Sequence, residues 1–110
     1  MYIPNSPWGQ VDYKTEVQEG VFFVSTPGHG GFMVHRSKEL SDAAKNHAEV
    51  FGNFYCFEED CMAKIVVWEL KLFNERTSEE DVKRALVFWV PEYVKQIGES
   101  AWLDQYPQRN

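Results

Sequence analysis

The chain is predicted to fold as an α+β domain, in which an antiparallel sheet of three to four strands is packed on one face by two or three helices. Two apolar runs in the first third, residues 21–24 and 32–34, have the length of strands and flank a glycine-rich loop. Apolar residues in the last third instead recur at helical spacing after a helix-start signal. Strands that precede helices, rather than alternating with them, are typical of this fold class.

The length of 110 residues predicts a single domain. Hydrophobic residues make up 44% of the chain and aromatic residues 15%, which is enough to build a core without disulfides or metals. We expect an irregular N-terminal arm over residues 1–9, with Trp8 packing onto the core. Residues 107–110 are expected to form a frayed tail.

Three strands are predicted in the N-terminal half. Apolar and polar residues alternate over residues 11–17, which predicts a strand with one solvated face. Residues 21–26 predict a more buried strand and residues 32–35 a third, so that the three form an antiparallel meander. The aromatic stretch 54–57 fits either a further short strand or the start of a helix.

Two helices are predicted before the C-terminal third. Residues 37–50 form the first, with Ser37 as its N-cap. Residues 58–73 fit a helical stripe that Glu69 alone interrupts, and this favours a second helix. The β-branched residues near its centre leave helix and strand both open for residues 62–70.

The last helix has the clearest signals. Thr77 and Glu80 match a capping box, and apolar residues then repeat at helical spacing as far as residue 97. Trp89 and Tyr93 belong to this stripe and are predicted to lie in the core. Pro91 predicts a kink rather than a break, because the apolar phase continues across it, and Gly98 is expected to end the helix.

Charge and composition limit the partners of the protein. A formal net charge of −6 disfavours direct binding to nucleic-acid phosphates and favours a basic partner. No segment approaches the ~20 apolar residues of a membrane span, and the first residues lack a signal-peptide pattern. We therefore expect a cytoplasmic protein without membrane association, in which Cys56 and Cys61 remain reduced.

The loop over residues 26–31 reads Thr-Pro-Gly-His-Gly-Gly and is the most informative motif of the chain. It contains more glycine than closure of a turn requires, and His29 lies in its middle. An exposed imidazole there can contact a partner, bind a ligand or transfer a proton. The nearby hydroxyls of Ser25 and Thr26 lie at strand ends, and no nucleophile-elbow motif is present, so no catalytic residue is assigned.

A second motif, Glu58-Glu59-Asp60-Cys61, concentrates three carboxylates and a thiol. Carboxylates bind hard cations, but consecutive residues of a helix point in different directions, so neither a metal nor another cofactor is predicted. The acids are interpreted as a solvated helix start, with a negative patch for a basic partner or a metal site shared with His29 as alternatives. The predicted partner-binding residues are His29, Gly30, Glu58, Glu59 and Asp60.

Three segments together resemble an uncharacterised domain family of phage and plasmid proteins: Trp8-Gly9, residues 20–31 and residues 55–61. The resemblance covers residues 8–73, and its most specific parts are the two motifs described above. It implies a mobile-element context but no activity. In that setting, small acidic proteins often bind and block host nucleases or defence complexes.

Three functions are consistent with the sequence. The first is a non-enzymatic interaction protein of the host cytoplasm, an anti-CRISPR-like inhibitor that binds a basic host protein or nucleoprotein complex without contacting nucleic acid directly. The second is a small metal-dependent hydrolase that uses His29 with Glu58, Glu59 or Asp60, which requires these side chains to lie within ~5 Å of one another. The third is a homodimeric structural phage protein.

Overall fold

The computed structural model describes residues 2–107 and has the predicted α+β fold. Both the sheet and the helical layer contain more elements than expected. The strands are β1 (Asn5–Ser6), β2 (Gly9–Gln10), β3 (Tyr13–Gln18), β4 (Val21–Ser25), β5 (Gly30–His35), β6 (Glu49–Phe51) and β7 (Phe54–Glu58). The helices are α1 (Asp42–His47), α2 (Ala63–Leu70), α3 (Glu79–Trp89), α4 (Pro91–Gln96) and α5 (Trp102–Gln105).

The main sheet has five antiparallel strands in the order β3-β4-β5-β7-β6. β3, β4 and β5 form the predicted meander, and β7 shows that residues 54–57 belong to a strand. β6 was not predicted, because residues 37–50 were interpreted as one helix. Gly52, at φ +60°, lies in the tight turn that joins β6 to β7.

The first helix starts later and is shorter than predicted. Its N-cap is Ser41, whose Oγ accepts a hydrogen bond from Ala44 N at 3.0 Å, and not Ser37. The Ser37 hydroxyl instead lies 2.8 Å from Nδ1 of His35, at the end of β5. Residues 36–40 therefore connect the sheet to α1 rather than forming its first turn.

Residues 63–70 form a helix, which resolves the alternative between helix and strand. The acidic residues 58–60 do not begin this helix, contrary to the prediction. Glu58 is the last residue of β7, a turn follows, and α2 starts at Ala63 with Met62 as its N-cap. The acids are thus placed by a strand end and a turn rather than by a helix start.

The C-terminal helix differs from the prediction at both its start and its centre. Ser78, not Thr77, is the N-cap, and the capping box closes with Asp81 rather than Glu80. Pro91 causes a break: Val90 leaves the helical region at φ −137° and ψ 60°, and Pro91 opens α4. Proline is tolerated there because an N–H in the first turn of a helix has no intrahelical acceptor.

Hydrophobic residues pack on both faces of the sheet. The larger core lies between one face, called the helical face here, and the helices, and it includes Val34, Phe57 and Leu86. On the opposite face, the arm face, Ile3 and the half-buried Trp8 pack over the sheet, as predicted for Trp8. β1 and β2 pair as a short ribbon, so the part of the predicted irregular arm that the structure describes, residues 2–9, contains regular structure.

The two thiols have different surroundings. Both cysteines are free, with Cys56 buried on the arm face and Cys61 partly exposed. Burial raises the pKa of the Cys56 thiol to about 12, and the carboxylate of Glu49 acts in the same direction. The Cys56 thiol is therefore neutral and behaves as a small apolar side chain.

A polar contact lies within the helical layer. Glu69 accepts hydrogen bonds from the backbone N–H and the hydroxyl of Ser41, both at 2.8 Å, and from the hydroxyl of Tyr93. Tyr93 is fully buried, and burial together with the bond to Glu69 raises its pKa above the ordinary value. Glu69 thereby ties α2 both to the start of α1 and to α4.

Two remaining expectations concern the chain end and the membrane. The predicted fraying of residues 107–110 falls mostly outside the residues that the structure describes. Between residues 2 and 107, every helix falls short of the length and apolar character needed to cross a membrane.

Candidate functional site

The glycine-rich loop forms a tight turn that leads into β5. Thr26 is buried at its base, where its Oγ1 donates to His29 O at 2.9 Å and accepts from His29 N at 3.1 Å. Thr26 N also donates to His29 O at 2.8 Å. Pro27, Gly28 and His29 are exposed. The turn is therefore fastened at its base and holds the His29 side chain at the surface.

Gly30 and Gly31 have a packing role inside the sheet. A Cβ on Gly31 would lie 2.3 Å from the carbonyl oxygen of Phe57 and 2.7 Å from the ring of Trp8. A Cβ on Gly30 would lie 2.8 Å from the carbonyl oxygen of Val24. Glycine is required at both positions because of this close approach. Gly30, one of the predicted partner-binding residues, is buried in the structure.

The acidic residues lie beside the turn because β5 pairs with β7. Glu58 is opposite Gly31 in this pairing, and Glu59 N donates to Gly30 O at 2.9 Å. His29 Nδ1 lies 3.9 Å from Glu58 Oε1. One ligand atom each of His29, Glu58 and Asp60 lie within 4.8 Å of one another. The structure thus brings three of the five predicted residues into one cluster.

Glu59 points away from this cluster. Its side chain lines a groove of about 640 Å³ on the helical face, whose apolar part includes Phe23 and Phe32. Three smaller grooves lie elsewhere on the described residues. None of the four is lined by His29, Glu58 or Asp60. The cluster is therefore an open surface feature and is not the wall of any of these grooves.

The other two histidines of the chain, His35 and His47, form hydrogen bonds with residues outside this cluster. His35 contacts Ser37, and His47 Nε2 lies 2.9 Å from Gln96 Oε1. Neither hydrogen bond involves the glycine-rich turn or the acidic residues 58–60.

An exposed aromatic pair at the end of α3 was not predicted. Trp89 is 52% exposed and Phe88 39% exposed, and their ring centroids are 4.6 Å apart. Tyr93 is buried as predicted, but Trp89 is not, because the break at Pro91 ends the helix immediately after it. The proline itself was the signal that the apolar stripe would not continue unchanged.

Comparison with known proteins gives a family but no activity. A family model described as a domain of unknown function, DUF7007, matches residues 3–108. This range extends beyond residues 8–73 at both ends and takes in both the N-terminal arm and the C-terminal helices. No curated protein and no solved structure matches the chain. Because the family model spans nearly the whole sequence, the chain belongs to the DUF7007 family.

Proposed function

We propose that this protein binds a basic partner through the acidic turn surface, which we define as residues 27–29 and 58–60. The observation that carries this proposal is the placement of two carboxylates, Glu58 and Asp60, beside His29 in an exposed turn, with Glu59 exposed on the adjoining helical face. A positively charged partner is attracted to such a surface, and complementary charge raises the rate and the specificity of association. The net charge of −6 acts in the same direction over longer distances.

The backbone of this surface is already ordered before a partner binds. Three hydrogen bonds between Thr26 and His29 hold the turn. The bond from Glu59 N to Gly30 O fixes the acidic residues relative to it. A surface that is ordered in advance loses less conformational entropy on association, so more of the contact energy contributes to affinity.

The partner that fits this chemistry is a protein or nucleoprotein complex with a positively charged face. The resemblance of the two motifs to phage and plasmid proteins supports a host defence complex, such as a nuclease or a CRISPR complex. The protein would then act in the host cytoplasm as a non-enzymatic inhibitor, and its acidic surface would contact the basic face that otherwise holds nucleic acid.

Charge reversal tests this proposal. Glu58→Lys/Glu59→Lys/Asp60→Lys changes the charge of the acidic turn surface, whereas Glu39→Lys/Glu75→Lys/Asp104→Lys makes the same change at exposed positions elsewhere. Each tagged variant is used to purify partners from host lysate at ~100 mM salt, where surface charges act over about one Debye length. The wild type and the control variant are expected to recover the same basic partner, and the first variant at least about tenfold less of it.

Two outcomes would contradict the proposal. One is recovery of the partner by the variant of residues 58–60 at the level of the wild type. The other is a loss that is equal in both variants, which would show that total charge rather than this surface governs binding. Thermal unfolding of all three proteins confirms that the comparison concerns folded chains.

A divalent-metal site is a second candidate, and the approach of His29, Glu58 and Asp60 to within 4.8 Å favours it. One imidazole with two carboxylates suits Zn²⁺ or Mn²⁺. Three protein ligands leave further positions for water, which a metal-dependent hydrolase requires. A metal ion bound by these three residues would be exposed to solvent, because they line none of the four grooves described above.

Titration calorimetry of the untagged protein with Zn²⁺ and with Mn²⁺ tests the metal candidate. Binding of one ion per chain with a dissociation constant of ~10 µM or below is expected if the site is real. His29→Ala should weaken it by at least about tenfold, and the control His47→Ala should leave it unchanged. Equal binding by wild type and His29→Ala would remove this candidate without affecting the proposal of a basic partner.

A further inference from the structure

The main sheet has two edge strands, β3 and β6, and the neighbour of β3 in the sheet is β4. Residues 13–17 are all exposed, and two of them are large apolar residues: Tyr13 at 77% and Val17 at 43% exposure. An exposed edge strand presents a row of backbone groups to another strand. Apolar side chains on the same strand favour its coverage by a partner.

The hydrogen bonds of β4 determine which backbone groups of β3 face outwards. Gly20 and Thr26, which flank β4, both form backbone hydrogen bonds on the side of β5. Gly20 O accepts from His35 N, and Thr26 N donates to His29 O. Because backbone groups alternate between the two sides of a strand, Phe23 in the middle of β4 bonds towards β3, where it pairs with Thr15. Thr15 therefore bonds inwards, and the backbones of its neighbours Lys14 and Glu16 face the outer edge.

We propose that two copies of this chain pair through β3, antiparallel and about a two-fold axis at Thr15. In this register, Lys14 of each copy lies opposite Glu16 of the other, and the outward-facing backbones of these two residues form the hydrogen-bonded pairs. Tyr13 of each copy lies opposite Val17 of the other. Thr15 lies opposite itself on the two-fold axis.

On each face of the sheet, the side chains of the two paired β3 strands complement one another. Lys14 and Glu16 lie on the arm face, where Lys14 Nζ is 5.6 Å from the ring centroid of Phe22. Opposite charges therefore meet there across the two strands. Val17 lies on the helical face, where it lines the groove of about 640 Å³, and Tyr13 shares that face by strand alternation. Directly opposed pairs of both kinds stabilise antiparallel sheets.

The same charges exclude the neighbouring registers. A shift of the pairing by two residues in one direction places Lys14 opposite Lys14, and a shift in the other direction places Glu16 opposite Glu16. Like charges directly opposite each other destabilise a strand pair, so the sequence of β3 selects the register centred on Thr15.

The irregularity between Glu16 and Gln18 limits the length of the pairing. It interrupts the regular ladder of β3 after Glu16, so the hydrogen-bonded part of the pairing extends from Lys14 to Glu16, and the contacts between Tyr13 and Val17 lie at its two ends. The contact is isologous and closes after two copies, so it produces a dimer with a continuous sheet rather than a fibre. Because the pairing is short, its dissociation constant is expected to be on the order of 10 µM.

Analytical ultracentrifugation from ~1 µM to ~300 µM tests this dimer, since the range spans the expected dissociation constant. Glu16→Lys places lysine opposite Lys14 and is expected to weaken the dimer by at least about tenfold. The exchange Lys14→Glu/Glu16→Lys restores opposite charges and should return the dissociation constant to within about threefold of the wild type. Glu75→Lys, with the same charge change far from β3 in sequence, should leave it unchanged.

Three results would overturn the pairing: a wild-type monomer over the whole range, equal dissociation constants for wild type and Glu16→Lys, or failure of the exchanged variant to recover. Thermal unfolding shows whether each variant is folded. Charge reversal at residues 58–60 should not change the dimer, so this test and that of the basic partner fail or succeed independently.

Discussion

Replacing Gly31 with alanine is expected to lower the free energy of unfolding by roughly 3 kcal/mol, near the upper end for an overpacked position. The added Cβ would lie 2.3 Å from the carbonyl oxygen of Phe57 and 2.7 Å from the ring of Trp8. The carbonyl belongs to the neighbouring strand, which cannot move away without weakening the pairing of β5 with β7. The midpoint of thermal unfolding should fall by more than ~10 °C.

Gly28→Ala is the matched control for this prediction. It makes the same chemical change three residues earlier, where no atom of residues 2–107, apart from the two chain neighbours of Gly28, lies within 4 Å of the new Cβ. We expect its free energy of unfolding to stay within about 0.5 kcal/mol of the wild type. Circular dichroism during heating measures both variants. An unfolding midpoint of Gly31→Ala equal to that of the wild type would contradict the packing role of Gly31.

Replacing Glu69 with alanine is expected to cost about 4 kcal/mol, because it removes three hydrogen bonds to a charged acceptor. Two of these come from Ser41 and one from Tyr93. The hydroxyl of Tyr93 would then be buried without its acceptor, which adds a desolvation cost. Urea denaturation measures the change in free energy. A loss below about 1 kcal/mol, typical of an exposed position, would contradict this role of Glu69.

Tyr93→Phe separates the contribution of one of these bonds. We expect a loss of roughly 1–2 kcal/mol at neutral pH, and a loss in the double variant with Glu69→Ala that is smaller than the sum of the two. Burial and then Glu69 raise the pKa of Tyr93 in the folded state. The stabilisation is therefore complete below the unfolded pKa of about 10 and declines as the pH rises above it. The advantage of wild type over Tyr93→Phe should shrink as the pH rises from about 10 to about 11.5, and a constant difference would contradict this coupling.

Local patterns were sufficient to predict the fold class and the meander of β3, β4 and β5. They were not sufficient to place the start of α1, because Ser37 and Ser41 are both suitable N-caps. The choice between them depends on Glu69, which binds the N–H and the hydroxyl of Ser41 from 28 residues away. A tertiary contact of this kind leaves no trace in the local pattern.

The break at Pro91 shows a different limit. Apolar spacing continues across the proline, so periodicity alone predicts one bent helix. The residue before a proline is disfavoured in the α region, and Val90, at φ −137° and ψ 60°, lies outside that region and ends α3. The apolar phase is recovered in α4, where Tyr93 is buried, but Trp89 is left at the surface.

The residues of the candidate site were recognisable by type, but their placement depends on the sheet. His29 and Glu58 lie far apart in sequence and meet because β7 pairs with β5 after an excursion through α1 and β6. The acids were expected to begin a helix, where they would diverge. A strand end and a turn instead bring Glu58 and Asp60 towards His29 and direct Glu59 to the other face.

Photo-crosslinking from position 28 tests most directly whether the acidic turn surface contacts a basic partner. Gly28 is exposed, and open space around it allows a benzoylphenylalanine side chain without disturbing the fold. We expect this residue to cross-link the partner at low salt, and the same residue at the exposed position of Glu75, between α2 and α3, not to do so. Cross-linking from position 75 with none from position 28 would contradict the proposed surface.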